Sequence, residues 1–202
     1  NTKGERFVDE GADFRNFTYV KYGQAVIREP QQTAFQIFDQ KTVPILREEY
    51  RIREMTKAEA PTIEELARKL EIDPQALART VTEFNAAASD KPFNPAILDG
   101  KGTHGINPPK SNWAQKLDTP PYLGFSVTCG ITFTFGGLRV DLRGQVQDIE
   151  DRPIRGLYAA GELVGGLFYH NYPGGAGLMA GSVFGKAAGE SAAADIGAKA
   201  GC

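Results

Sequence analysis

The feature that most limits what this chain can fold into is the run Asn171-Tyr172-Pro173-Gly174-Gly175-Ala176-Gly177-Leu178 and the small residues after it. Three glycines in four positions behind a proline let backbone amides approach a partner closely and open a helix. That helix reads through about Ala194. The amides of its first turn and the positive end of its dipole favour electron-rich ligand oxygens. Upstream, Leu157-Tyr158-Ala159-Ala160 is an apolar run without alternation, the pattern of a short buried strand. It ends at Gly161-Glu162, which puts Glu162 at a sheet edge facing a crevice, where a buried carboxylate accepts hydrogen bonds from ligand hydroxyls. Together these describe one side of a polar cofactor site. The small residues Gly177, Ala180, Gly181, Ser182, Gly185, Ala188 and Gly189 equally suit a helix packed tightly on a sheet, and both readings can hold. Gly175-x-Gly177-x-x-Ala180 has the letters of the dinucleotide fingerprint without its context. Tyr172-Pro173 stands where a strand is needed, and Asp195 reads as the end of the helix rather than of a second strand.

Charge and length narrow the alternatives. With 23 basic and 25 acidic residues the chain lacks the surplus of a general nucleic-acid or acidic-membrane surface. No apolar run approaches the roughly 18 residues of a spanning helix, and the polar start Asn1-Thr2-Lys3-Gly4-Glu5-Arg6 is no signal peptide. The 202 residues suffice for one or two domains. Cys129 and Cys202 lack metal-type spacing and suit a reducing, cytoplasmic setting.

In chain order, Gly4 reads as a turn and Arg6-Phe7-Val8 as a short strand. Gln31 to Phe38 is a short helix or strand, and Pro44 to Met55 a helix whose charges, Arg47 to Glu54, form a solvated face. Thr62-Ile63-Glu64-Glu65 is a capping box, and Asp73-Pro74 caps a second helix. Leu66, Ala67 and Leu70 on one, and Leu77, Val81, Phe84 and Ala88 on the other, face inward. The pair at 62–88 has the outline of a helix-turn-helix DNA module, but its second helix carries Arg79 alone and acids outnumber bases. Residues 90–128 read as long loops punctuated by apolar side chains, with Trp113 in the core and His104 exposed. Phe125 to Cys129 is an extended return segment. Ile131, Phe133 and Phe135 alternate with threonines as in a strand, and Gly136-Gly137 marks a tight turn or close approach.

Three blocks carry a resemblance: Ile154 to Glu162 with Gly165-Gly166, Pro173 to Leu178, and Val183 to Gly189. In order and spacing they resemble the C-terminal cofactor segment of the fumarate reductase/succinate dehydrogenase flavoproteins, and within them the tricarballylate dehydrogenase-like proteins. The resemblance implies an α+β fold: a helical, loop-rich capping domain plus a partial sheet-and-helix segment of an FAD-binding domain. The implied division is 1–22 as the edge of the FAD domain, 23–128 as the substrate cap and 129–202 as the C-terminal FAD segment. It implies FAD, bound by Gly161, Glu162, Gly174, Gly175, Ala176, Gly177 and Leu178, with Glu162 at the ribityl chain and the amides around Gly177 and Leu178 at the pyrimidine edge of the flavin. It implies a flavin dehydrogenase acting on a small molecule, a polycarboxylate or a ketone. The chain starts without Met and lacks a strand-glycine-helix unit for the FAD adenosine, so it reads as a C-terminal fragment whose partner is the N-terminal FAD-binding part of the same protein. Such a fragment binds FAD poorly alone.

Arg15 best fits the family's proton-delivering arginine, one residue further from Glu10 than in fumarate reductases, and equally suits a carboxylate clamp. Two departures stand out. Phe133 occupies the place of a substrate-binding histidine, and Tyr172 that of a carboxylate-clamping arginine, as in ketosteroid dehydrogenases, with His170 two residues earlier. Tyr172 then acts as an acid/base or polarising group, or packs as an aromatic against the flavin. A DNA module and a non-catalytic scaffold domain are the rival readings.

Overall fold

The computed structural model describes residues 1–53 and 55–200, and of 198–200 the backbone. Glu54 of the charged run and the terminal Cys202 lie outside the described residues. The chain divides into two compact units, residues 1–130 and 131–202.

The first unit is built on helix α1 (Arg15–Val26), strands β1 (Thr33–Phe38) and β2 (Lys57–Ala60), helices α2 (Ile63–Lys69) and α3 (Pro74–Ala87), and strand β3 (Tyr122–Thr128). The sheet is antiparallel in the order β1-β3-β2, so β3, which takes in most of the extended run from Phe125, is its central strand. The two caps form: the Thr62 hydroxyl accepts from the Glu65 amide at 3.2 Å and the Asp73 carboxylate from the Ala76 amide at 2.7 Å. Leu66 and Ala67 are fully buried and pack with Leu70, Ile72, Leu77 and Val81. Gly124 is a packing glycine, since a Cβ there would lie 2.5 Å from Leu70 Cδ1. Asp39, fully buried, pairs with Lys41 at 3.1 Å and accepts from the Asp118 and Thr119 amides, tying the end of β1 to the segment entering β3.

Three expectations fail in this unit. Arg6-Phe7-Val8 forms no strand. The Arg6 guanidinium instead bonds the Pro108 carbonyl and Glu10 and lies 5.3 Å over the Phe84 ring, so side-chain contacts rather than a ladder hold the segment. The Pro44–Met55 helix is replaced by two 3₁₀ turns, Val43–Ile45 and Glu48–Arg51, neither with a side-chain cap. Ile45 and Ile52 stay about half exposed, so no buried face offsets the cost of nucleating a helix. Trp113 is half-buried, tilted on Phe14 at 5.4 Å, and its indole N–H donates to the Asn94 and Ile97 carbonyls, pinning a loop.

Asp9 fastens residues 9–11 to the loop at Ser111. Its carboxylate accepts from the Gly11 amide at 2.9 Å, the Ser111 amide at 3.0 Å and the Ser111 hydroxyl. Burial pushes its pKa up, but the Ser111 and Gly11 hydrogen bonds outweigh burial and hold it below the usual carboxylate range. A depressed folded pKa contributes stability above the unfolded value, about 3.9, and that contribution is lost as pH falls through the folded value. Asp9→Asn therefore costs about 1–2 kcal/mol at pH 7, the low end for bonds to a charged group because the site is partly solvated. Urea unfolding checks this: the gap to wild type shrinks as the buffer is taken from neutral to strongly acid.

The second unit holds a hairpin of β4 (Gln145–Gln147) and β5 (Pro153–Tyr158), a 3₁₀ turn at Gly161–Leu163 and helix α4 (Ala176–Ala200). Val146, Ala159 and Val164 form its small core with Val140 beside them. Glycine permits one close crossing: a Cβ at Gly137 would stand 2.3 Å from the Leu163 carbonyl, and one at Gly165 2.3 Å from the Gly137 amide. α4 outruns the expected end near Ala194. Asp195 does not end it but sits within it, bonded to Arg143 at 3.0 Å and accepting from the Tyr158 hydroxyl. The Leu157–Ala160 run is a strand to Tyr158 but not a buried one: Leu157 is 45 % exposed and only Ala159 is buried. Among the described residues β5 pairs with β4 alone, and a strand composed for a sheet interior shows its apolar face. Residues 131–135 make no strand, because the Thr134 amide donates to a carboxylate and the flanking phenylalanines turn into a ring cluster. Among the described residues, no helix is long and apolar enough to cross a membrane.

Candidate functional site

Three segments of the second unit meet at the start of α4. Gly175, at φ +83°, turns the chain into the helix, a conformation open to glycine at no steric cost. The Ala176 amide is taken by the Pro173 carbonyl at 3.0 Å and that of Met179 by Gly175 at 3.2 Å. Between them, the amides of Gly177 and Leu178 have no acceptor among the described residues. A Cβ built at Gly174 or Gly175 meets nothing within 4 Å, so the side-chain-free backbone there serves access and not packing.

Gly177 differs. A Cβ on it would lie 2.6 Å from Cε2 of Phe133. The Phe133 ring seats on the helix at that point and stacks on Tyr172 with centroids 4.8 Å apart and planes at 26°. Phe135 and Phe168 complete a group of half-buried rings, 5.9 and 5.8 Å from Tyr172. One residue on from Phe133, Thr134 donates its amide (3.0 Å) and its hydroxyl (3.2 Å) to Glu162 Oε1. Gly161 lies against the second turn of α4, its Cα 3.6 Å from a Cβ built at Gly181. Helix mouth, ring cluster and Glu162 are thus one connected arrangement, held by residues 133–135.

Glu162 is exposed, which corrects the buried carboxylate expected from the sequence; a 3₁₀ turn lifts it off the strand end. Two hydrogen bonds occupy Oε1, and the second oxygen can accept from a hydroxyl. His170 is exposed at φ +64°, its ring 4.1 Å from Tyr169. Arg15 belongs to the first unit, at the first position of α1, exposed, with Glu49 Oε1 at 4.0 Å. Phe168 escaped the sequence reading, and the bonds of Thr134 to Glu162 did too. Thr134 had a detectable signal in its place beside Phe133; nothing in the sequence ties Phe168 to Tyr172 across a turn. No group of three or more His, Cys, Asp or Glu able to hold a metal occurs among the described residues.

Residues 1–178 match the FAD binding domain family. The chain belongs to that family. The site's own chemistry fits the cofactor. Two acceptorless amides at a helix N-terminus suit an electron-rich ring edge, and an exposed carboxylate held by Thr134 suits a polyol chain. This FAD binding domain chain is 31 % identical over 199 residues to a probable fumarate reductase, Ifc3, of Shewanella frigidimarina, an alignment covering 96 % of this chain and 30 % of that protein. It is 30 % identical over 201 residues to an NADH:acrylate oxidoreductase of Vibrio harveyi, covering 95 % of this chain and 18 % of the relative. The chain thus spans less than a third of these curated relatives. Among solved structures it is similar to the open conformation of a flavocytochrome c3 fumarate reductase, with TM-score 0.72 and 29 % identity over 96 % of this chain and 31 % of that one. It is also similar to a 3-ketosteroid Δ1-dehydrogenase from Sterolibacterium denitrificans, with TM-score 0.69 and 27 % identity over 96 % and 38 % of the two chains. The homologues are FAD-dependent oxidoreductases acting on CH–CH bonds, and the DNA-module reading finds no support among them.

Proposed function

We propose that this chain is part of an FAD-dependent dehydrogenase or reductase that interconverts C–C and C=C bonds next to a carboxylate or carbonyl. The observation that carries the proposal is the pair of acceptorless amides at Gly177 and Leu178 beside Glu162. Those amides would face the flavin and favour negative charge on it, and Glu162 would accept from the ribityl hydroxyls. FAD, when bound, supplies the acceptor or donor of a hydride. The chain's residues supply the rest. A protein group would take or return a proton at the carbon next to the one that loses or gains hydride, so that one hydride and one proton, two electrons and two protons in all, account for the double bond. Tyr172 would polarise a substrate oxygen or move that proton, with His170 as a weaker candidate. Arg15 would carry a proton through a relay or pair bidentately with a carboxylate.

Two substrate classes fit. A polycarboxylate, in the manner of tricarballylate dehydrogenase-like proteins, calls on Arg15; a ketone calls on Tyr172. The exposed apolar side chains of the second unit, such as Leu157 and Val183, support a docking role toward further polypeptide that would hold the rest of FAD. Anaerobic titration of the intact flavoprotein with tricarballylate, succinate and a 3-ketosteroid tests the reading. The flavin's visible absorbance bleaches with at least one of them; a purified protein that carries no flavin contradicts it.

A further inference from the structure

We infer that Thr134 is a positioning residue for FAD: its hydroxyl and amide hold the Glu162 carboxylate in place before the cofactor arrives, with one oxygen occupied and the other offered to a ribityl hydroxyl. The inference rests on the proposed contact between Glu162 and the ribityl chain, and it adds what keeps that carboxylate ready.

A glutamate on an exposed turn is ordinarily free to rotate about its side-chain bonds, and that freedom is lost when a ligand fixes it. Glu162 stands on such a turn and is exposed. Both donors of Thr134 converge on Oε1, the amide at 3.0 Å and the hydroxyl at 3.2 Å. Two bonds on one oxygen leave the acceptor capacity of Oε2 intact. Cations do not share the task. Among the described residues Glu162 has no ion pair, and Arg139, Arg143, Arg152 and Lys186 of the second unit are paired with Asp151, Asp195, Asp148 and Glu190.

Thr134 can hold Glu162 because its own backbone is anchored on both sides. Downstream, the Leu138 amide donates to the Leu163 carbonyl at 2.8 Å, the Gly165 amide to the Leu138 carbonyl at 3.0 Å and the Gly166 amide to the Phe135 carbonyl at 3.1 Å. Residues 135–138 are thereby tied to residues 163–166, and the Thr134–Glu162 bonds continue the same tie with a carboxylate as acceptor. Upstream, the Phe133 ring is seated against Gly177 of α4. Donors fixed in this way take the cost of ordering Glu162 out of the binding step, which raises affinity without adding a contact to the ligand.

The test is a double-mutant cycle on the intact flavoprotein, stripped of its flavin and titrated with FAD, with dissociation constants read from flavin fluorescence. Thr134→Val keeps the branched shape and the amide but removes the hydroxyl, and it weakens FAD binding by about tenfold, as for one hydrogen bond to a charged group. Thr134→Ser restores the hydroxyl and stays within about threefold of wild type. Glu162→Ala weakens binding by at least about tenfold. Thr134→Val added to Glu162→Ala changes nothing further, because the hydroxyl has no carboxylate left to hold. The same loss from Thr134→Val in both backgrounds, which is what a merely structural role gives, overturns the inference, and so does wild-type affinity in Thr134→Val; either leaves the contact of Glu162 with FAD standing. Wild-type affinity in Glu162→Ala removes that contact and the inference together.

Discussion

Replacing Tyr172 with Phe is expected to lower turnover of the flavoprotein by roughly 10²- to 10⁴-fold, the usual contribution of a positioned proton donor or acceptor. The substitution is a clean one because of how Tyr172 is held. Its ring is stacked at 4.8 Å on Phe133 and touches Phe135 and Phe168, and a phenylalanine ring keeps all three contacts. What is lost is the hydroxyl. FAD content is therefore expected to stay near the wild-type value while the rate falls. Stopped-flow measurement of flavin reduction separates the chemical step from product release. Unchanged reduction would leave Tyr172 as a packing residue and move the proton to Arg15 or His170.

The second large effect is at Gly177. Glycine is the poorest non-proline residue inside a helix, so on propensity alone Gly177→Val in the first turn of α4 is favourable by a few tenths of a kcal/mol. Packing reverses the sign. A Cβ there already stands 2.6 Å from the Phe133 ring, and valine adds two methyl groups. Phe133 must move, taking the Tyr172 stack and the Thr134 bonds to Glu162 with it. Overpacking of this kind costs about 1–3 kcal/mol. The mouth is where the cofactor edge would sit, so the expected result is a tenfold or greater loss of FAD retention with α4 intact by circular dichroism. Gly189 is the control: a Cβ there meets nothing within 4 Å, and Gly189→Ala leaves retention unchanged. Equal effects at the two glycines would mean that Gly177 matters only to helix stability.

How much of this was legible in the sequence depended on whether a signal was local. The caps at Thr62 and Asp73 were legible because a capping side chain and the backbone amide that donates to it are three positions apart. The α2–α3 stripe was legible because apolar spacing at 3.6 residues leaves one inward face. The glycine-marked opening of α4 was legible because few residues other than glycine tolerate φ +83°. Pro44–Met55 misled because its apolar residues have helical spacing but find no core, and only tertiary packing turns such a stretch into a helix. Ile131–Phe135 misled because alternation also arises when phenylalanines turn into a cluster and the backbone between them is spent on Glu162. The cluster was half visible. Phe133 and Phe135 announce themselves by spacing, but their contacts with Phe168 and Tyr172 join residues more than thirty positions apart, which no local pattern encodes. Burial of Leu157 was read correctly as a property of composition and wrongly as one of this chain, because a strand made for a sheet interior needs neighbours on both sides.

A crystal structure of the intact flavoprotein with FAD bound decides whether the flavin sits at the mouth of α4. The expected result is the flavin's pyrimidine edge within hydrogen-bond distance, about 3 Å, of the Gly177 and Leu178 amides, with a ribityl hydroxyl on Glu162. A flavin seated away from that helix, with Glu162 touching no part of the cofactor, would contradict it.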